Sequence, residues 1–243
     1  MESRDASGEG RLMDIIAWLT DPANWTGQYS IPKQTLMHLV YSFVSLGIAL
    51  VIAVPLGLYI GHTGRGENLI IGSANAMRAL PTIGLLILLV LIMAPRIGSS
   101  LAFVIPAIVV LILLAVPPIL SGVVSGVQSI DRSVIDAAYG LGLSRRQIVF
   151  KVEAPGSLPL ALSGVRGAML QIVSTATVAA YVSLGGLGRY IIDGRAVDDY
   201  SMMAGGSVLL IALAIMLELM FVVITRVVVS PGLTRRSQKI KPT

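Results

Sequence analysis

The sequence predicts an all-α integral membrane protein of about five transmembrane helices, and three observations carry that prediction. Hydrophobic residues fill 55% of the 243 positions and charged residues only 13%, about half the charged fraction usual in a soluble domain. Mean hydropathy is +0.83. Five stretches, 37–60, 69–94, 101–124, 158–182 and 203–225, each reach the roughly 20 mostly apolar residues that a helix needs to cross hydrocarbon.

Taken in order, the segment 1–36 begins with Glu2, Arg4, Asp5 and Glu9. No basic start leads into an apolar core, so no cleavable leader is expected and the mature chain should begin near Met1. Leu12, Ile15, Ile16 and Leu19 recur at helical spacing, with Trp18 and Trp25 close by. They predict a short surface helix with interfacial anchors, although a merely packed helix reads the same way. Pro55, Pro81, Pro106, Pro117 and Pro118 fall in the first three spans and should interrupt their hydrogen bonding. Such kinks could line a pathway, or reflect only that proline is common in membrane helices. Gly122 and Gly126 form a small-xxx-small pair that could serve dimerisation or packing within one chain.

The stretch 129–157 is a polar island between apolar segments. Asp131 can cap a helix whose Val134, Ala137, Ala138 and Leu141 share a face, and Gly140 and Gly142 end it. Ser144 can cap a second helix through Arg145, Arg146, Gln147, Ile148 and Lys151, which is expected to stop before Pro155. The product is two short helices about a glycine elbow. Small residues at 137 and 138 let another protein approach the backbone, and Gly142 allows a conformation that a side chain penalises. After the fourth span, Gly185, Gly186 and Gly188 permit a tight reversal or a short re-entrant segment beside Asp193, Asp198 and Asp199.

Orientation follows from the basic residues. If the 129–157 loop is cytoplasmic, that side holds Arg65, Arg78, Arg132, Arg145, Arg146, Lys151, Arg166, Arg226, Arg235, Arg236, Lys239 and Lys241. The other side holds Arg4, Arg11, Lys33, Arg96, Arg189 and Arg195. The excess of basic residues predicts N-terminus out and C-terminus in. It also accounts for the net charge of +5 without a nucleic-acid partner. The segments are then an extracytoplasmic 1–36, a transmembrane 37–225 containing the loop 129–157, and a basic cytoplasmic tail 226–243.

Chemistry is sparse. The chain has no cysteine and only two separated histidines, so no disulfide, iron–sulfur or clustered metal site is expected, and no cofactor bound by this chain. It also lacks a Gly-x-x-x-x-Gly-Lys-Ser/Thr phosphate loop and any nucleophile–base constellation, so it is not expected to be an enzyme. Glu218 is the one acid well inside a span, two turns from its end, and Arg166 sits at a similar depth in the fourth span. A structural ion pair is favoured over a proton relay. Without inverted repeats or a chain of midplane acids, an ion-coupled carrier is disfavoured.

Asp136, Ala137, Ala138, Gly142, Val152, Ala154 and Pro155 resemble in register the cytoplasmic signature of ATP-binding-cassette (ABC) importer permeases. That signature reads Glu-Ala-Ala, three residues, Gly, nine residues, Ile, one residue, Leu-Pro; here Asp, Val and Ala replace Glu, Ile and Leu. Three further stretches are Pro55-Leu56-Gly57-Leu58-Tyr59-Ile60-Gly61-His62, Arg78-Ala79-Leu80-Pro81-Thr82 and Ser183-Leu184-Gly185-Gly186-Leu187-Gly188. They look like the binding-protein-dependent permeases for glycine betaine, choline, carnitine and related osmoprotectants. The last two also occur, in variant form, in methionine-importer permeases, which leaves methionine or another small amino acid as the alternative solute.

The resemblance implies a type I ABC importer permease in a bacterial cytoplasmic (inner) membrane. It implies a separate ATPase that uses the ATP and receives the loop at Asp136, Ala137, Ala138, Gly142, Arg145, Arg146 and Pro155. A solute-binding protein outside and a second permease copy or a homologous permease complete the expected assembly. Aromatic residues make up only 5% of the chain and suggest no cage for a quaternary ammonium, so selectivity is expected in the binding protein. Pro81, Thr82, Tyr41 and Tyr181 are the candidate pathway residues, though packing or interfacial anchoring would equally explain the two tyrosines.

Overall fold

The computed structural model describes residues 2–66, 72, 76, 81–182 and 184–229, and these are helical with no strand among them. The helices are α1 (Glu2–Thr20), α2 (Ile31–Thr63), α3 (Thr82–Ile97), α4 (Val104–Gln128), α5 (Arg132–Gly140), α6 (Arg145–Ile148), α7 (Ala154–Ala179), α8 (Gly188–Ala196) and α9 (Tyr200–Val228). Among the described residues α2, α4, the continuous run Arg145–Val182 and α9 are long and apolar enough to cross a membrane. The expected span 69–94 is described only from Pro81 onward, as the 16-residue α3 and its cap. Arg78, Ala79, Leu80, Ser183 and the tail from 230 lie outside the described residues.

Proline placement departs from expectation at two positions. Pro55, Pro117 and Pro118 do sit inside helices. Pro81, however, is the N-cap of α3, and Pro106 is the third residue of α4. A helix start has no intrahelical partner for those N–H groups, so neither proline interrupts a bond.

The chain forms two compact units, one from 1–45, 81–111 and 172–216, the other from 46–80, 112–171 and 217–243. In the first, α2 buries Gln34, His38, Ser42 and Ser45 along one face, at spacings of four, four and three that align on a helix. The His38 Nε2–H donates to the Val173 carbonyl at 3.2 Å. Gln34 Oε1 accepts the Gly186 N–H at 2.8 Å. Gly186 has φ +85°, and a Cβ there would meet the His38 ring at 3.0 Å. The glycine run is thus a tight reversal seated on a polar face of α2.

Trp18 packs against the fold. Its ring stands edge-on to Tyr190 at 5.2 Å and lies where a side chain at Gly205 would have to go. The apolar stripe of α1 is split as a result: Trp18, Ile15 and Leu19 are half-buried, while Leu12 and Ile16 stay exposed. The Tyr190 hydroxyl donates to the Tyr29 carbonyl at 2.6 Å, and burial pushes its pKa up to about 12, which keeps it a donor. Arg189 completes the cluster, 4.9 Å over the Tyr29 ring and 2.7 Å from Asp193.

In the second unit, α4 meets α7 through small residues. A Cβ on Gly122 would approach the Leu160 carbonyl to 2.7 Å, and one on Gly126 would reach Ser157 at the same distance. The small-xxx-small pair therefore serves packing within this chain.

Candidate functional site

The 129–157 loop is built from local hydrogen-bond chemistry. Asp131 Oδ1 accepts the Ser133 N–H at 3.0 Å and starts α5. At the other end the Gly142 N–H bonds to the Tyr139 carbonyl and the Leu143 N–H to the Ala138 carbonyl. That pair of bonds closes a Schellman motif, with Gly142 at φ +80° as its left-handed residue. Ser144 and Gln147 then form a reciprocal capping box, the Ser144 N–H donating to Gln147 Oε1 at 2.8 Å.

The second helix does not stop before Pro155. It widens into a π turn over Val149–Glu153, closed by the Ala154 N–H on the Val149 carbonyl, and continues as α7. Pro155 has no N–H to donate and its ring crowds the preceding turn. The wider turn takes up that crowding, so the proline is absorbed where a regular helix would have to end.

Asp136, Ala137, Gly142, Arg145, Arg146 and Pro155 are exposed, while Ala138 and Ile148 are buried. Of the face that helical spacing gives to Val134, Ala137, Ala138 and Leu141, only Ala138 is buried; Leu141 is 81% exposed, beside Tyr139 at 43%. Small residues, two arginines and this apolar tip make a surface suited to a protein partner. Helical periodicity hid Leu141, because the Schellman turn takes residue 141 out of the helix.

Sequence reasoning also missed a buried pair. Glu153, the last residue of the π turn, is 5% exposed, and both its carboxylate oxygens lie 2.9 Å from Nδ1 of His62 in the last turn of α2. Only the histidine's place at the end of a recognisable stretch could have signalled it.

Arg166 and Glu218 are brought together. The arginine Nε donates to Oε2 at 2.7 Å and Nη2 pairs with Oε1, a two-pronged geometry that fixes orientation as well as charge. Tyr41 is half-buried on α2, Pro81 and Thr82 begin α3, and Tyr181 is exposed in the turn after α7. A groove of about 510 Å³ opens elsewhere, between α4 and α7, lined by Pro117, Pro118, Ser121, Ser125, Ser163 and Gln171 among others. Serine hydroxyls and the Gln171 side chain share that lining with leucine, proline and glycine, and none of the lining residues is charged.

The comparisons agree with this architecture. Relatives include the carnitine transport permease protein OpuCB of Listeria monocytogenes, 28% identical over 78% of this chain and 84% of the relative. Another is the glycine betaine/carnitine/choline transport system permease protein OpuCB of Bacillus subtilis, 29% identical over 81% and 87%. Among solved structures, a chain of the inward-facing MetNI methionine ABC transporter superposes with a TM-score of 0.71 at 25% identity, over 87% of this chain and all of that one. Residues 53–235 match the family described as binding-protein-dependent transport system inner membrane component. The span of that match covers the loop, the groove and the spanning helices from mid-α2 onward, and the chain belongs to that family of ABC importer permeases.

Proposed function

We propose that this chain is the permease subunit of an ATP-driven importer for osmoprotectants of the glycine betaine, carnitine, choline or proline type. Its 129–157 loop docks on a separate ATPase, which binds and hydrolyses the ATP. The observation that carries the reading is the loop itself: a Schellman turn at Gly142 projects Tyr139 and Leu141 beside exposed Ala137, Arg145 and Arg146. An exposed apolar tip of this kind is suited to burial against a partner. The excess of basic residues on the loop side supports N-terminus out, C-terminus in, and a cytoplasmic tail from 226. A solute-binding protein delivers the solute outside, and a second permease copy encloses the pathway.

The relatives named for carnitine, glycine betaine and choline support the solute class. Selectivity falls to the binding protein. In this chain the Tyr29 face is covered by Arg189 and Tyr190 is engaged by Trp18, so these aromatic groups are already spoken for. The likeness to the MetNI chain supports methionine as a second reading.

Reconstitution separates them. Proteoliposomes holding the permease, its ATPase and the loaded binding protein should take up labelled glycine betaine only with internal ATP. Methionine uptake in its place would keep the importer and replace the solute. Absence of any ATPase coupling would overturn the reading of the loop.

A further inference from the structure

Glu153 sits at the joint between the loop and α7, almost fully buried. A carboxylate at such depth is tolerated only with a partner. Its partner is His62, ninety-one residues earlier in the chain, with both oxygens 2.9 Å from Nδ1. An ionised carboxylate only accepts, so against it Nδ1 carries the hydrogen and donates, a charge-assisted bond.

Where the pair sits matters as much as its strength. A π turn holds one residue more than a regular turn, so it sets the rotational phase between α6 and α7. Glu153 ends that turn and ties it sideways to the end of α2. Around the tie the helices are closely set: a Cβ on Gly61 would lie 2.7 Å from Val127, and one on Gly126 would lie 2.7 Å from Ser157. Well-packed helices of this kind move together more readily than they deform.

We propose that His62 and Glu153 are a positioning pair for energy coupling. They lock the docking loop to the first spanning helix, so that a displacement imposed on α6 reaches α2 directly as well as along α7. The proposal rests on the reading of the loop as the ATPase-docking element.

The test uses the full transporter in proteoliposomes, with wild type, Glu153→Ala, His62→Ala, the double variant and Glu153→Gln. In each, ATPase co-purification, basal ATP hydrolysis and solute taken up per ATP are measured. The expected result is normal co-purification and basal hydrolysis, with uptake per ATP reduced about tenfold in either alanine variant, the order of effect of one charge-assisted hydrogen bond. The double variant should be no worse than the weaker single, and Glu153→Gln, which keeps an accepting oxygen, should recover most of the loss. Unchanged coupling in both single variants, or losses that simply add, would overturn the pair. Loss of the ATPase from Glu153→Gln as well would make Glu153 a docking residue and overturn it too.

A second measurement controls for folding, since the chain has no cysteine of its own. In His62→Cys with Glu153→Cys, a short cleavable thiol cross-linker should restore coupling and its reductive release should abolish it. Indifference to the bridge counts against the pair. If the wild-type chain itself fails to hold the ATPase, the reading of the loop fails first, which is a different result.

Discussion

Gly142 stands at φ +80° with open space around its missing side chain. Sterics outside the backbone therefore play no part, and a substitution meets only the left-handed conformation, which costs an L residue about 1–2 kcal/mol. Gly142→Ala should loosen the turn by that amount, read as weaker ATPase co-purification with normal membrane insertion. Gly142→Asn, which visits the conformation more readily, should weaken association less, whereas Gly142→Asp, which adds a charge to the tip, should abolish it. Arg166 and Glu218 give a second expectation: Arg166→Glu or Glu218→Arg alone should impair assembly, and the swap should restore it, measured as complex recovered from membranes. The caps at Asp131 and Ser144 and the elbow at Gly142 were legible in the sequence because each bonds within a few residues. The His62–Glu153 pair was not, because no periodicity relates residues 62 and 153.

At the level of elements, hydropathy located the spanning helices but could not end them. Helix α2 runs Ile31–Thr63 where 37–60 was expected, and the polar Gln34 and His62 outside that apolar run have tertiary partners in Gly186 and Glu153. The π turn was illegible for a related reason. Pro155 was read as a stop by its local effect, yet a widened turn relieves the same clash and lets the helix run on. Deleting Phe150 should convert that turn to regular helix, in which the Pro155 ring clashes with the preceding turn, and so misplace α6 against α7. The expected outcome is an inserted chain that no longer retains its ATPase, measured by co-purification. Retention at the wild-type level would mean that the widened turn is not needed to place the docking helix.

At the scale of the molecule, the family match begins at residue 53, and that boundary divides the protein in an instructive way. The 129–157 loop, the groove between α4 and α7 and the Arg166–Glu218 pair all lie after it. Before it lie Trp18, Tyr29, Gln34 and His38, which receive Gly205, the Tyr190 hydroxyl, the Gly186 amide and the side of the glycine reversal. A chain trimmed to the matched residues would keep the glycine reversal and lose Gln34 and His38, the surface on which it rests. The matched span and the packing therefore draw different borders here, and a shortened version meant to stay folded should follow the indole of Trp18 and begin upstream of it.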